Sequence, residues 1–449
     1  MRSFGLLLIV FALAACSGSL ERTRADAGLG APVDDAAGPR DARAVDDGPS
    51  RPDSDETTAA ADSQPAAADS QPAPASDMAA APTADASVDT LDPNMTADGC
   101  FKWRGAQLSG SLQAAVNAHG CVEVQAGTFV LDAPVHIAPG HTLRGVGAAQ
   151  STLRADRAKW QLSCCDSLIA DTLPSDPTKS PFSVSKLTVD GANVATYGVC
   201  CRGFTASELV ITSTRCSAIG AAGRGVVVRK STLTDTAWPT AVPGRGTISC
   251  ATGGFGGVAE GAAIYSESDG ARLDPVFEDN TIRRSYGPAL DINGTWGGVF
   301  RRNTVIDNTG WAAVSLYGAS YWTIADNTVR HPSDQPPQPY HAYCRGGPAG
   351  ARSAAIFICQ DTDTKGRIAN HNVVERNKAS SFYGILAVGA DELKPYWAPR
   401  LNTFRDNDVT GSNFGCADDF KPGQWQSGED NVWSNNNCAG SPNTSPGYF

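Results

Sequence analysis

The sequence has few of the features that mark membrane-spanning, nucleic-acid-binding or zinc-binding proteins. Its N-terminal apolar run, residues 4–14, is too short to cross a bilayer as a helix. Residues 98–449 hold 30 basic and 31 acidic side chains, so they lack the positive excess that a nucleic-acid groove needs. No two cysteines have the Cys-x₂-Cys spacing of structural zinc sites. We therefore expect no nucleic-acid partner and no zinc site.

Cysteine is present in a pattern typical of exported proteins. Twelve cysteines follow Cys16, and an even number in an oxidising compartment indicates disulfides. The sequence does not fix their connectivity, but short spacings favour three bonds, and the two vicinal pairs are expected to bond with each other across the fold. The expected partners are Cys100 and Cys121, Cys344 and Cys359, Cys416 and Cys438, and Cys164-Cys165 with Cys200-Cys201.

The N-terminus has the composition of an export signal. Arg2 precedes the apolar run, and the run ends in Leu13-Ala14-Ala15-Cys16. This segment resembles the lipobox of bacterial lipoproteins. The resemblance implies a signal peptide at 1–15, cleavage before Cys16 and acyl chains on Cys16 that anchor the protein. Position 17 holds serine and not the aspartate that would resemble an inner-membrane retention signal. We therefore expect the protein to be anchored in the outer membrane, without preference for one of its faces.

Residues 16–97 are predicted to be a disordered linker. From residue 17 onward this segment contains no aromatic residue and no isoleucine, and it is built from Ala, Asp, Pro and Ser. Such a composition cannot bury enough apolar surface to offset the entropy of the chain. The segment also holds 16 acidic and 5 basic residues, so it accounts for nearly all of the net charge of −11. The acidity therefore says nothing about a ligand.

A repeat of 23 to 24 residues runs through the remainder of the chain. Each copy has a bulky apolar residue, a small polar residue (asparagine, or serine in the copies at 204–209 and 228–233) three positions later and an apolar residue two positions after that. This period is typical of one coil of a three-sided parallel β-helix, whereas helical solenoids have periods above 30 residues. A leucine-rich repeat is the other alternative, but the sequence lacks the regularly spaced leucines of that fold. Stacked asparagines would bond from coil to coil. Clear copies contain Asn280, Asn303, Asn327 and Asn407, and weaker ones span 369–374, 433–438, 204–209 and 228–233.

The start of this region resembles the pectate-lyase-like β-helix proteins. The resemblance is carried by Leu112-Gln-Ala-Ala-Val116, by 122–129 and by Thr142-Leu-Arg-Gly-Val-Gly147. It implies an all-β, right-handed parallel β-helix over 98–449, closed at its N-terminal end by a short helix. Such a cap is physically required, because the first coil would otherwise expose an apolar cross-section and open strand edges. Ser109 or Ser111 is expected to cap the helix and Gly120 to end it.

A second strand of each coil is expected to carry the ligand. Strand alternation places Tyr265, Glu267, Asp291 and Asn293 on the outer surface. Three insertions break the period near this strand and would form walls around its outer surface. In the pectate-lyase-like proteins this surface usually binds polysaccharide. The insertions are 237–260, 332–353 and 389–400.

Polar and aromatic side chains on this surface suit a sugar chain. Aromatic rings stack on sugars, and amides and carboxylates bind hydroxyl groups. The expected function is polysaccharide binding by a monomeric, surface-anchored lipoprotein, with catalysis unproven. The expected binding residues are Tyr265, Asn293, Tyr317, Phe357 and Trp397.

The alternative is an enzyme, either a polysaccharide lyase or a glycoside hydrolase acting on acidic polysaccharide. Glu267 and Asp291 are 24 residues apart, so one coil would separate them, and such a pair could act as acid and base or share a Ca²⁺ ion. Arg202, on an earlier coil, would take the proton in a lyase. The isolated histidines 331, 341 and 371 are expected to be surface residues without a role.

Overall fold

A computed structural model describes most of the chain beyond residue 91. Residues 1–91 lie outside the described part, and they include the predicted signal peptide, Cys16 and nearly all of the predicted linker. No helix in the described part is long and apolar enough to span a membrane. The described ranges are 92–105, 112–163, 166–172, 181–250, 261–268, 271–310, 312–332, 353–359, 369–388, 399–419 and 430–438.

The chain winds as a right-handed parallel β-helix with three sheets, as predicted. The twelve-stranded sheet contains β1 (Phe101–Trp103), β2 (Cys121–Val124), β5 (Thr142–Gly145), β8 (Phe182–Ser185), β11 (Phe204–Ser207), β14 (Val227–Arg229), β19 (Val276–Glu278), β22 (Trp296–Arg301), β25 (Ser320–Ala325), β28 (Val373–Glu375), β31 (Thr403–Arg405) and β33 (Val432–Ser434). The nine-stranded sheet contains β3 (Gly127–Leu131), β6 (Ser151–Ala155), β9 (Thr188–Asp190), β12 (Val210–Thr212), β15 (Thr232–Thr234), β20 (Thr281–Arg283), β23 (Thr304–Ile306), β26 (Thr328–Arg330) and β29 (Lys378–Ser380).

The ten-stranded sheet is formed by the strand that the sequence identified as the second of each coil. It contains β4 (Val135–Ile137), β7 (Ser167–Asp171), β10 (Tyr197–Cys201), β13 (Ser217–Ala221), β18 (Ile264–Glu267), β21 (Leu290–Asn293), β24 (Ala312–Tyr317), β27 (Ala354–Cys359), β30 (Tyr383–Val388) and β32 (Phe414–Asp419). A separate antiparallel hairpin pairs β16 (Thr240–Val242) with β17 (Gly246–Ile248).

One apolar core runs through the inside of the solenoid. In five coils of the ten-stranded sheet, two successive residues at the start of the strand belong to the core, an alanine followed by an aliphatic residue. The small residue lets the chain turn into the strand without opening a gap in the core. The pairs include Ala218-Ile219, Ala263-Ile264, Ala289-Leu290, Ala313-Val314 and Ala355-Ile356.

An asparagine ladder follows the corner between the twelve- and nine-stranded sheets. The Nδ2 of Asn280 donates to Oδ1 of Asn303 at 3.0 Å, and the Nδ2 of Asn303 donates to Oδ1 of Asn327 at 3.2 Å. Each Oδ1 also accepts the backbone N–H of the preceding rung, as Asn303 does from Asn280 at 3.0 Å. The ladder continues through Asn377 and Asn407. These bonds satisfy amides that are almost fully buried.

The predicted register is wrong for two of the weaker repeat copies. Asn372 belongs to a second ladder with Asn402, whose Oδ1 accepts the Asn372 N–H at 2.9 Å; the residue of that coil in the main ladder is Asn377. In the copy at 204–209, the ladder position is taken by Leu209, which fills the corner with a buried apolar side chain. The copy at 228–233 is correct, because the Ser231 N–H donates to Asn280 Oδ1 at 3.0 Å.

A short helix closes the N-terminal end, as predicted. Helix α1 (Leu112–Ala118) buries Leu112, Ala115 and Val116 against the first coils. Gln113 fixes it to β4, because its Nε2 donates to the His136 carbonyl at 2.9 Å and its Oε1 accepts the His136 N–H at 2.7 Å. The two serines proposed as caps lie outside the described residues.

The disulfides match the predictions in part. The bonds of Cys100 with Cys121 and of Cys416 with Cys438 are present. Cys200 bonds to Cys201, so bonding between the vicinal pairs is wrong: Val199 pairs with Ile169, which places residues 200 and 201 opposite 170 and 171. A bond that was not predicted joins Cys216 to Cys250. Cys359 is disulfide-bonded, whereas 164, 165 and 344 lie outside the described residues.

His331 is not a surface residue. It is buried at the corner between the nine- and ten-stranded sheets, and this burial lowers the pKa of its imidazole to about 4. A neutral imidazole is therefore built into the wall of the solenoid. His371 is exposed as expected, and residue 341 lies outside the described part.

Replacing a central rung of the asparagine ladder is expected to destabilise the fold strongly. Asn327→Ala removes the acceptor of the Asn303 N–H and side chain and the donor to the Phe300 carbonyl. We expect a loss of about 2–4 kcal/mol in the free energy of unfolding, since buried polar groups are left unsatisfied. Asp326→Asn, which removes only an exposed ion pair with Arg376, should lose less than about 1 kcal/mol. Equal losses in chemical denaturation would contradict the structural role of the ladder.

Candidate functional site

The predicted side chains do face outward from the ten-stranded sheet. Ile264 and Ser266 of β18 are buried, whereas Tyr265 is half-buried and Glu267 is exposed. In β21, Asp291 and Asn293 are half-buried and alternate with buried neighbours. The outer face of the ten-stranded sheet is therefore the candidate site.

Register brings four of the predicted residues together. Tyr265 pairs with Asp291, and Glu267 pairs with Asn293, so the strands that carry the two carboxyl groups lie about 4.8 Å apart. The Tyr265 hydroxyl donates to Glu267 Oε2 at 2.6 Å. Two acids, one phenol and one amide thus form a compact cluster, which we call the acidic cluster.

Asp291 has an unusual protonation equilibrium. Burial raises the pKa of its carboxyl to about 6, the Ser315 hydroxyl opposes this shift, and the negative charge of Glu267 adds to it. Burial also raises the pKa of the Tyr265 phenol well above its ordinary value. An acid with a pKa close to neutrality can both give and take a proton under physiological conditions, which is the property that general acid catalysis needs.

Beside the acidic cluster lies a floor that sequence reasoning missed. It is made by Tyr197, the Cys200–Cys201 disulfide and Gly220, which pairs with Tyr265. A Cβ atom at Gly220 would lie 2.9 Å from Cys200 Sγ and 3.0 Å from the Tyr197 ring, so only glycine fits there. The sequence holds one sign of this floor: Gly220 occupies the strand position that Tyr265 occupies in the following coil.

Arg202 lies apart from the acidic cluster. It follows β10, two coils before Glu267, which corresponds to about 10 Å by strand spacing. Its side chain is exposed, and its backbone N–H donates to Asp171 Oδ2 at 3.2 Å. Burial raises the pKa of the Asp171 carboxyl. The structure therefore brings Glu267 and Asp291 together but does not bring Arg202 to them.

The remaining predicted binding residues divide into three cases. Phe357 faces outward but is buried, because its ring packs with Ala354 and Leu386 in a second apolar cluster; an exposed stacking ring at this position is therefore wrong. Tyr317 is half-buried against the same cluster. Trp397 lies outside the described residues.

The first predicted insertion forms a hairpin at the side of the ten-stranded sheet where the strands begin. Residues 237–250 contain β16 and β17, and Cys250 is disulfide-bonded to Cys216. The Trp238 Nε1 donates to the Arg284 carbonyl at 2.7 Å, and Arg245 donates to the Trp160 carbonyl at 2.7 Å. The hairpin is thus fixed to several coils at once. Residues 251–260, 333–352 and 389–398 of the insertions lie outside the described part.

A metal site is not evident in the described residues. Within the ranges given above, no three acidic, histidine or cysteine side chains come together in a way that could hold an ion. The acidic cluster offers two carboxyl groups, whereas Ca²⁺ takes six to eight oxygen ligands.

Comparisons with known proteins give only distant structural likeness. No family model and no curated protein matches the chain. The catalytic domain of a GH87 α-1,3-glucanase in complex with nigerose is 10% identical, with a TM-score of 0.42 over 77% of this chain and 69% of that one. The A-module of the Azotobacter vinelandii mannuronan C-5 epimerase AlgE6 is 15% identical, with a TM-score of 0.36 over 72% and 94%. An alginate lyase from Paenibacillus sp. str. FPU-7 is 14% identical, with a TM-score of 0.41 over 67% and 93%.

Removing the Asp291 carboxyl should change how stability depends on pH. Its pKa is higher in the folded chain than in the unfolded one, so the folded state binds more protons between about pH 4 and pH 6 and loses stability as the pH rises through this window. Asp291→Asn removes that loss. We expect the variant to gain about 1–2 kcal/mol on the wild type between pH 4 and pH 8, measured by chemical denaturation.

The matched control for this prediction is Asn293→Ala. It changes the neighbouring outward position and removes no titrating group, so it should keep the wild-type pH dependence. A constant difference between Asp291→Asn and the wild type from pH 4 to pH 8 would contradict the raised pKa.

Proposed function

We propose that this chain binds polysaccharide on the outer face of the ten-stranded sheet. The acidic cluster carries the proposal: Tyr265, Glu267, Asp291 and Asn293 are polar or amphipathic groups held together on a solvent-facing sheet, and burial raises the pKa of the Asp291 carboxyl there. Sugar hydroxyls are suitable partners, since each donates to a carboxylate or amide oxygen and accepts from an amide or a phenol.

The raised pKa of Asp291 beside Glu267 favours hydrolysis as a second candidate function. A glycoside hydrolase uses two carboxyl groups, one of which has a raised pKa and protonates the leaving oxygen. Asp291 fits the role of the acid, and Glu267 fits that of the base or nucleophile. A lyase is less well supported, because the proton acceptor and the groups that neutralise a uronate would have to work near two acids, with Arg202 about 10 Å away.

The negative charge of the acidic cluster also affects which polysaccharide can bind. Two neighbouring carboxyl groups repel a uronate unless a cation lies between them, whereas a neutral sugar meets no such penalty. We therefore propose a neutral polysaccharide in the absence of cations. Ca²⁺ shared by Glu267 and Asp291 would instead admit acidic chains, and comparing binding with and without Ca²⁺ decides between these ligands.

The N-terminal segment is proposed to place this face at the outer membrane, with Cys16 acylated and residues 16–97 acting as a spacer for a monomeric domain. Cys16→Ser in the full chain should move the protein from the membrane fraction to the soluble fraction when cells are separated by ultracentrifugation. Retention of the variant in the membrane fraction would contradict the anchor.

Binding is tested with a panel of neutral and uronate polysaccharides in affinity gels and by calorimetry. The wild type should be retained by at least one of them. Tyr265→Ala together with Asn293→Ala should weaken that binding about tenfold, since an aromatic contact and a hydrogen bond are lost. Thr304→Ala, an outward residue of the nine-stranded sheet, should bind like the wild type. Absence of retention on the whole panel would contradict the proposed function.

The products decide whether the site is catalytic. New reducing ends without absorbance at 235 nm would indicate hydrolysis, which Asp291→Asn should slow at least about a hundredfold. Absorbance near 235 nm would indicate a lyase and overturn the hydrolase assignment. Unchanged polysaccharide with retained binding would leave a binding protein.

A further inference from the structure

An exposed aromatic strip follows the corner between the ten- and twelve-stranded sheets. Trp296 is 40% exposed and Tyr321 is 51% exposed, and His371 is also exposed. The Trp296 and Tyr321 ring centroids lie 6.1 Å apart, and those of Tyr321 and His371 lie 4.9 Å apart. We call these three residues the aromatic corner.

The other two corners are built differently. At each corner the chain turns through residues of positive φ, whose side chains project away from the core. Where these residues are charged they pair between coils, as Arg302 does with Asp279 and Arg376 does with Asp326. At the corner between the ten- and twelve-stranded sheets the corresponding residues include Tyr321, with φ 63°, and His371, with φ 56°, besides Asp274 and Leu401.

Folding does not account for this choice of residues. A bulky side chain in the left-handed region is strained, and a tyrosine that remains half exposed recovers little of that strain through burial. Polar, charged and small residues make the same turn at the other corners, as Arg302, Ser213 and Ala237 do. Exposed aromatic side chains in a row are typical of a contact surface.

The rings differ in what they offer to a ligand. Tyr321 and His371 are stacked, with planes 14° apart, so each ring covers one face of the other. Trp296 is tilted by 58° from Tyr321 and does not join the stack. An apolar platform therefore stands next to a phenol hydroxyl and an imidazole, an arrangement that matches the apolar face and the hydroxyl groups of one pyranose ring.

The aromatic corner continues the proposed site. Trp296 follows Asn293 of the acidic cluster by three residues, and its backbone N–H donates to the Ala271 carbonyl at 3.0 Å, in the coil of Glu267. Tyr321 and His371 lie on the next coils along the solenoid axis. A sugar chain that leaves the acidic cluster across this corner, in the direction of the strands, reaches the indole.

We propose that the aromatic corner is a sugar-binding subsite, in which one pyranose ring stacks on Trp296 and its hydroxyl groups bond to Tyr321 and His371. The proposal rests on the proposed function, since it extends the same site. A protein partner is less well matched, because the strip is narrow and is flanked by the ion pair of Arg272 with Asp274, whereas protein contacts need a broader apolar area.

The test compares Trp296 with an exposed apolar side chain on the nine-stranded sheet. Trp296→Ala should weaken binding of the polysaccharide that the wild type retains by about five- to tenfold, and Trp296→Phe should keep most of the affinity because a ring remains. Val130→Ala, which shortens an apolar side chain 59% exposed on the nine-stranded sheet, should bind like the wild type. The change in tryptophan fluorescence that comes from the Trp296 indole on adding oligosaccharide should be lost in both Trp296→Ala and Trp296→Phe, although only Trp296→Ala loses affinity, and it should be kept in the control variant. Thermal melting of each variant confirms that it is folded.

The outcomes separate this inference from the proposed function. If the wild type binds no polysaccharide, the proposed function and the subsite fail together. If the wild type binds and Trp296→Ala binds equally well, the subsite alone is overturned. If Trp296→Ala abolishes self-association in sedimentation experiments and leaves sugar affinity unchanged, the aromatic corner is a protein contact and the subsite is likewise overturned.

Discussion

The hydrogen bonds between successive coils, and above all the asparagine ladder, set the geometry on which the rest of the molecule depends. Each asparagine amide is buried and bonds to the coils before and after it. A one-residue shift in any coil would leave several of these groups unsatisfied, at a cost of about 1–3 kcal/mol for each. The ladder therefore fixes the register of neighbouring coils, even though insertions of different lengths interrupt the chain between them.

Fixed register is what allows distant residues to form a site. Glu267 and Asp291 are a full coil apart in sequence, and Trp296, Tyr321 and His371 come from successive coils, yet each group meets on one face or one corner. The inside of every coil is committed to the core, so the outward positions are free to carry chemistry. On the ten-stranded sheet these outward positions hold acids, a phenol and an amide. At the corner beside the ladder they hold ion pairs.

The repeat made the fold predictable, and its irregular parts limited what else could be predicted. Period and alternation placed Tyr265, Glu267, Asp291 and Asn293 on one outer face, because both depend only on local spacing. Burial of Phe357 and His331 depends on neighbours in adjacent coils, which spacing does not reveal. Register at Asn372 failed because two asparagines five residues apart both fit the pattern. The aromatic corner was missed because Trp296 and Tyr321 lie at the very start of their strands and His371 lies just before one, where strand alternation does not yet hold.

The chemistry proposed for the ten-stranded sheet depends on Asp291 being an acid poised near neutral pH on a solvent-facing surface. The most direct measurement is an NMR titration of the side-chain carboxyl carbons, with Asp291→Asn used to assign the Asp291 signal. We expect a midpoint near pH 6 for this residue. A midpoint near pH 4, the ordinary value for an aspartate, would show that Asp291 is a common surface acid and would remove the basis for assigning chemistry to this face.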